Sequence, residues 1–202
     1  MNTEIEAKWL GIDHDEFREK LIKLGAKQIC PKTDMVRTVF DLPGKDSNKD
    51  KEWARVRDEG DKVTMSYKRT DDRNLAGTKE ICLEVDSYEN AVEFMSAMGC
   101  RQKSIEETRR ETWELDGAEI DLDEWPWLPP FIEIETKDEA SMPVVAAKLG
   151  LDVQDAMCSS ADLVYAYYYD VTPEEVNNHQ GIWKEMRFSP VPKELEAKRK
   201  KK

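Results

Sequence analysis

Glu4-Ile5-Glu6-Ala7-Lys8 opens the chain with three charged side chains in strand register, so Glu4, Glu6 and Lys8 share one face of a β-strand. Two carboxylates beside an ammonium suit one chemistry in particular. The oxygens are ligands for a hard divalent cation such as Mg²⁺ or Mn²⁺, and the positive charge attracts an anion. The pattern returns along the chain. Arg55 with Arg57, Thr64 with Ser66 and Lys68, Glu80 with Cys82 and Glu84, Asp121 with Asp123, and Glu133 with Glu135 each share a face. The opposite faces are apolar: Ile5, Ala7 and Trp9; Ala54 and Val56; Val63, Met65 and Tyr67; Ile81, Leu83 and Val85; Ile120 and Leu122; Ile132 and Ile134. The strand at 104–115 is less clean and carries charge on both sides, with Thr108 and Arg110 on one and Glu107 and Arg109 on the other.

An antiparallel sheet wetted on one side produces the same alternation. Two features weigh against that reading for the whole set. The polar faces are short of the Thr, Gln and Asn that solvated strands use, and they concentrate carboxylates two residues apart in some strands and cations in others. Arg-x-Arg offers planar forks, and nearby lysines offer point charges, for phosphate oxygens. Buried charges are costly unless paired or bound to metal. A closed barrel lined by these faces would therefore hold a cation and a polyanion together.

The elements that position these residues follow from periodicity. Strands are expected at 4–11, 34–42, 52–58, 62–70, 79–86, 104–115, 118–125 and 131–137. Glu59-Gly60-Asp61 and Asp116-Gly117 are hairpin signals. Helices are expected at His14–Leu24 and Tyr88–Met98, each closed by a glycine, at 140–149 and at about 159–169. Thr172-Pro173-Glu174-Glu175 is a capping box with proline at the first helical position. Residues 44–51 read as a polar loop, and Lys193–Lys202 as a charge-dense, frayed end. The fold class is α+β. Short connections give an antiparallel sheet, and eight strands close into a β-barrel with helices packed outside. Residues 1–170 form the barrel domain, and 171–202 a C-terminal helical extension with a basic tail.

The totals set limits. The 202 residues are 37% charged and 39% apolar, with a net charge of −12, which argues against broad binding to duplex nucleic acid. No apolar run reaches membrane-spanning length, and the acidic start lacks a signal-peptide core, so a cytoplasmic protein is expected. Cys30, Cys82, Cys100 and Cys158 form no C-x-x-C pair and read as reduced thiols. His14 and His179 are the only histidines, so a histidine zinc site is not expected.

Glu4-x-Glu6-x-Lys8 resembles the ExExK signature of the CYTH superfamily, the triphosphate tunnel metalloenzymes. That group includes class IV adenylate cyclases, thiamine triphosphatases and inorganic triphosphatases. The resemblance runs over about residues 1–170. Arg55-Val56-Arg57 resembles the family's R-x-R strand, and Tyr67-Lys68 the next strand, where a lysine contacts phosphate. Glu80 and Glu84 fall where the family has an acidic strand. Arg110, three residues before Trp113, resembles the arginine of its K-x-R-x-x-aromatic pattern. Leu122-Asp123 followed by Phe131-Ile132-Glu133-Ile134-Glu135 resembles its L-D…E-x-E element.

The resemblance implies an eight-stranded tunnel. In it Glu4, Glu6, Asp123, Glu133 and Glu135 are metal ligands, with Asp121 as a further candidate. Arg55, Arg57, Lys68 and Arg110 bind phosphates. Lys8, Glu80 and Glu84 are catalytic, balancing charge or positioning water. Two positions depart from the pattern. Thr108 stands where the family has a lysine, so that phosphate contact is either missing or supplied by Arg109 or Lys79, and Ser159-Ser160-Ala161-Asp162 replaces a Ser-Tyr pair.

The expected activity is a Mg²⁺- or Mn²⁺-dependent triphosphatase, a hydrolase acting on inorganic, nucleoside or thiamine triphosphate. The alternatives are an adenylate cyclase making cyclic AMP and pyrophosphate, and a non-catalytic polyphosphate- or nucleotide-binding module. Trp9, Trp53, Trp125 and Trp127 read as packing residues or as a base-stacking surface, with Trp125-Pro126-Trp127 as a candidate substrate-selecting lip. The partner is a small triphosphate, with no duplex nucleic acid and no membrane, and the protein is a monomer or homodimer.

Overall fold

The computed structural model describes residues 1–71, 76–158 and 160–201. Its first two strands, β1 (Asn2–Glu4) and β2 (Glu6–Leu10), are one extended segment broken only at Ile5. Next come β3 (Lys27–Asp41), β4 (Glu52–Asp58), β5 (Val63–Thr70), β6 (Thr78–Val85), β7 (Arg101–Leu115), β8 (Ala118–Glu124) and β9 (Phe131–Glu135). The sheet order is β1-β6-β5-β4-β3-β7-β8-β9-β2, antiparallel throughout. Its two ends are the two halves of that first segment. The chain itself therefore closes the ring, and nine strands make a barrel of eight chain segments. Closure is partial: β1 covers only Thr78–Glu80 of β6, and the rest of that β6 edge has no strand partner among the described residues.

Parity divides every strand. Most outward apolar residues bury under helices, while Ile81 and Leu83 of β6 stay exposed. Ile5, Ala7, Trp9, Ile120, Leu122, Ile132 and Ile134 pack against Phe17 and Leu21 of α1 (His14–Lys23) and Met142 and Val145 of α4 (Ser141–Lys148). The α1 helix begins where Asp13 accepts from the backbone N–H of Asp15 and Glu16, and Phe17 and Leu21 lie one turn apart on its buried face. An outward carboxylate fixes it to the barrel: Glu111 accepts from Arg18, Gln28 Nε2 and Trp113 Nε1. A short α2 (Ser47–Asp50) interrupts the segment expected to be loop. α3 (Tyr88–Ala97) covers Phe40, Ala54 and Val56 of β3 and β4. The Asp116-Gly117 turn has φ values of 55° and 78°, the paired positive angles of a type I′ hairpin. At Gly60 a Cβ would meet Thr33 Cγ2 at 2.7 Å, so that turn requires glycine.

Two sequence expectations are corrected. β3 starts at Lys27, seven residues before position 34, because register shifts between Gln28 and Cys30 and between Cys30 and Thr33 absorb the irregular Pro31 stretch within the strand. The C-terminus is docked and not frayed. α5 (Ala161–Tyr168), α6 (Pro173–Asn177), α7 (Lys193–Glu196) and β10 (Glu185–Met186, parallel to β7) share a core of Tyr165, Tyr169, Val176, Trp183, Met186 and Leu195 with Trp125 and Phe131. The Lys200 N–H donates to Tyr168 O at 2.9 Å, and Arg199 lies 4.9 Å from the Tyr169 ring. Ser159, part of the segment that departs from the family pattern, lies outside the described residues. No helix among the described residues is long and apolar enough to cross a membrane.

Candidate active site

The inward positions gather the charged residues into two walls. Cations line β3, β4 and β5: Arg37, Arg55, Arg57 and Lys68. In the ring order β4 lies opposite β9 and β3 opposite the β1–β2 segment. That second wall carries Glu4, Glu6, Glu133 and Glu135, with Asp121 and Asp123 beside it on β8. On β7 the ambiguity of parity resolves. Thr108 and Arg110 face inward, while Glu107 and Arg109 face outward to Arg187 and Asp34.

Acids and bases pair wherever reach allows. Buried Lys8 bridges Glu133 Oε2 at 2.5 Å and Glu6 Oε1 at 3.2 Å. Burial opposes the ammonium's charge, yet Glu133 and Glu6 raise its pKa above the ordinary value. Arg110 forks onto Asp123 (Nε–Oδ1 and Nη2–Oδ2, both 2.7 Å) and reaches Asp121 at 2.5 Å and Glu133 at 3.3 Å. Glu133 sits below the usual carboxylate range: burial opposes this, and Lys8 and Arg110 overcome it. Lys68 donates to both Glu4 oxygens, at 2.7 and 3.0 Å.

Burial and crowding of like charges shift several of the carboxyls in spite of these contacts. Glu4 is pushed up to about 8, first by burial, with a hydrogen bond to Glu80 and the charge of Glu6 adding to it. Burial likewise disfavours the Glu80 charge, but the Glu4 hydrogen bond and the charges of Lys68 and Arg55 hold its pKa below the ordinary value. Asp121 reaches about 8 through burial and then its neighbours Asp123, Glu119 and Glu133, against Arg110. Glu135 reaches about 7 for the same kind of reason, burial and then Glu119, Glu6 and Glu133. In register, Glu114, Glu119, Glu135 and Glu6 form a row across four strands. Like charges directly opposite destabilise a sheet unless something neutralises them.

On the cationic wall Arg55 is buried and, among the described residues, its Nε is unpartnered and its one weak contact is Nη2 to Glu80 at 3.4 Å. Burial, followed by the charges of Arg57 and Arg37, lowers its pKa to about 9. Arg57 donates through Nε and Nη2 to Glu59 Oε1 at 2.9 and 2.7 Å.

These observations test the two expected ligands. An orphaned, buried guanidinium N–H in a group of arginines fits an anion. An oxygen-only wall of under-neutralised carboxylates fits a hard divalent cation in donor type and charge. It is not a finished cage, for no group of three or more Asp, Glu, His or Cys stands at metal-binding spacing among the described residues.

The expected residues fall into place unequally. Two contact groups hold most of them: Glu6, Lys8, Glu133 and Arg110 in one, and Glu4, Lys68, Glu80 and Arg55 in the other, with Glu135 on the same inner face. Asp123 is engaged through both oxygens by Arg110. Glu84 is exposed at the end of β6, away from the central group. The tryptophan lip is corrected. Trp125 is buried beneath Arg37, Trp127 packs on Trp183, and Tyr165 and Tyr169 donate to the carbonyls of Pro126 and Trp127. Those tryptophans join the barrel to the C-terminal segment. Trp53, on the inner face beside Lys68, is the one left facing the tunnel. Sequence reasoning missed Arg37, Glu59 and Glu106. Arg37 alternates with Val36 and Thr38, so strand parity alone could have placed it inward.

Comparison with known proteins follows from this geometry. A family model described as the CYTH domain matches residues 2–162. The PH1012 protein of Pyrococcus horikoshii OT3 superposes with a TM-score of 0.65 at 24% identity, over 78% of this chain and 96% of that one. A protein of Vibrio parahaemolyticus, named as a proposed adenylate cyclase, gives 0.68 at 14% identity, over 82% and 98%. A Hippeastrum protein, named as a proposed adenylyl cyclase and described as having a dominant triphosphatase activity, gives 0.53 at 15% identity, over 80% and 92%. At these identities the likeness is one of fold. No curated protein sequence matches significantly.

Proposed function

The chain belongs to the CYTH family, and from that premise we propose that it is a divalent-metal-dependent phosphohydrolase acting on a triphosphate held inside the tunnel. The observation that carries this reading is the split lining: an arginine wall with the unpartnered Arg55 Nε faces a carboxylate wall whose Glu4, Asp121 and Glu135 resist ionisation. A polyanion and a cation bound together relieve both.

In this proposal Glu4, Glu6, Glu133 and Glu135 hold Mg²⁺ or Mn²⁺, with Asp123 joining when Arg110 turns to phosphate. Bound there, the ion would neutralise phosphate charge and make a water more acidic. Arg55, Arg57, Lys68 and Arg110 hold the triphosphate oxygens, and a phosphate accepting from Lys68 releases Glu4 from its ion pair. Lys8, kept charged between Glu6 and Glu133, stabilises negative charge on the transferred group. Glu80, a carboxylate held by Lys68 and Arg55, is placed to accept a hydrogen bond from water. Glu84 serves the mouth. The four cysteines are all free, which suits a cytoplasmic setting.

Trp53 favours one second reading. An aromatic ring beside Lys68 offers a face for a purine, as an adenylate cyclase needs. Incubation with Mg²⁺ or Mn²⁺ and tripolyphosphate, thiamine triphosphate or ATP separates the two. Orthophosphate is expected. Pyrophosphate with cyclic AMP assigns the cyclase, and no product from any substrate refutes both.

A further inference from the structure

We propose that Arg37, a residue outside every motif of the N-terminal, R-x-R and acidic strands, binds a phosphate oxygen of the triphosphate and is held in place for that task by Glu106 and Trp125. The inference rests on reading the tunnel as a triphosphate site and adds a specificity-determining residue to it.

Arg37 pairs in register with Arg57 of β4 on one side and with Glu106 of β7 on the other. Two arginines directly opposite on an inner face are unfavourable without an anion between them. Arg37 and Arg57 also act together on Arg55, whose Nε is buried and unpartnered in a residue only 9% exposed. The cationic wall thus carries three guanidiniums, and one of them, Arg55, holds Glu80 only weakly and has an Nε with no partner among the described residues.

Arg37 is also unusually fixed. Glu106 Oε2 accepts from Nε at 2.7 Å and lies 2.6 Å from Nη2, so both contacts use one edge of the fork. The Trp125 ring lies 4.0 Å from the guanidinium carbon. Glu106 is buried and held in turn. Ser104 Oγ donates to it at 2.6 Å, and His179 Nδ1 of the C-terminal segment stands 3.9 Å away. A fork anchored along one edge and stacked on one face keeps its Nη1 edge for an incoming oxygen, with little rotamer entropy left to lose. Glu106 and Trp125 are positioning residues here, since neither touches phosphate.

A merely structural role for Arg37, neutralising Glu106, makes a different prediction. The test compares Arg37→Ala, Arg37→Lys and the double variant Arg37→Ala/Glu106→Gln in the full chain. Calorimetry with tripolyphosphate in chelator reads binding, and steady-state kinetics with Mg²⁺ read kcat and KM separately. A lost charged hydrogen bond should weaken tripolyphosphate binding and raise KM about ten- to a hundredfold in Arg37→Ala. Arg37→Lys should recover part of this, and the double variant should stay weak. Wild-type affinity in Arg37→Ala or in the double variant would overturn the inference; the double variant keeps the test valid if the single one unfolds around an unpaired Glu106. A protein that binds tripolyphosphate through Arg37 but releases no orthophosphate would leave this inference standing and remove the hydrolase.

Discussion

Glu135→Gln should stabilise the metal-free protein at alkaline pH. In the folded chain this carboxyl titrates at about 7 instead of the ordinary 4.5, because burial and then Glu119, Glu6 and Glu133 disfavour its charge. Between those values the folded state binds more protons than the unfolded one. Stability therefore falls as pH rises from about 4.5, and the loss is complete above about 7. At about 1.4 kcal/mol per pH unit, the step from 4.5 to about 7 corresponds to about 3 kcal/mol. Solvent reaches part of this side chain, so screening lowers the figure to about 1–2 kcal/mol. Glutamine keeps the shape and hydrogen-bonding capacity of the protonated acid and cannot ionise. In a chain of this size that is about 2–8 °C in Tm.

The assay is thermal unfolding in EDTA at pH 5 and pH 8. The variant should exceed wild type at pH 8, and the difference should shrink at pH 5. Adding Mg²⁺ at pH 8 should then raise the wild-type Tm more than the variant's, since a ligand that binds only the folded state stabilises it by mass action. A Glu135→Gln protein less stable than wild type at pH 8 would refute the reasoning, because it would mean that the ionised carboxylate already has a partner. An equal gap at both pH values would remove the charge argument as well.

Glu6→Gln should abolish turnover while circular dichroism and Tm stay near wild type; full activity would remove Glu6 from the proposed metal ligands. EDTA should silence the wild type, and restored activity on adding Mg²⁺ or Mn²⁺ checks this by orthophosphate release. Arg57→Ala should raise KM for triphosphates and lower kcat; unchanged kinetics would show that its pairing with Glu59 is its whole role. Glu111→Ala should cost about 1–3 kcal/mol in urea unfolding, because it leaves Gln28 Nε2 and Trp113 Nε1 without their acceptor, while Arg18 keeps Asp15.

Much of this architecture is legible from residue order. Strand parity fixes which side chains face inward, and the barrel needs no further information to bring Glu4, Arg55 and Glu133 to one interior. The Asp116-Gly117 turn announces itself because only positive φ at both positions closes so tight a hairpin. Other features are hidden for physical reasons. β3 is masked at its start because Pro31 and the polar residues around it imitate a loop, while the register shifts that tolerate them belong to pairing with β7. The docking of Lys193–Lys201 is masked because Leu195 is its one buried apolar side chain, which makes no pattern, and its other anchors are backbone hydrogen bonds and charged groups such as Arg199 on Tyr169. Trp125-Pro126-Trp127 looked like a lip because proline and aromatics near an acidic strand suggest a mouth. The residues that claim them, Tyr165, Tyr169 and Trp183, are remote in sequence.

What parity cannot reveal is which residues pair between strands. Asp121 and Asp123 read alike from sequence, two acids on one face. In the barrel, Asp123 receives Nε and Nη2 of Arg110, whereas Asp121, with Nη1 alone and Thr112, remains hard to ionise. The difference is set by the register of the β7–β8 hairpin, which puts Arg110 opposite Asp123 and Thr112 opposite Asp121. Nor is the lining a settled set of ion pairs. Buried pairs gain little over apolar packing once desolvation is counted, so selection for stability alone does not account for a charged interior with Arg55 Nε orphaned and Glu4 hard to ionise. A lining that satisfies itself only in part is what binding requires, since each incoming phosphate or cation must exchange contacts already made by Lys68, Lys8 and Arg110. Affinity in such a tunnel is the difference between two sets of charge contacts, and it should respond more to changes in unpaired groups than to changes in paired ones.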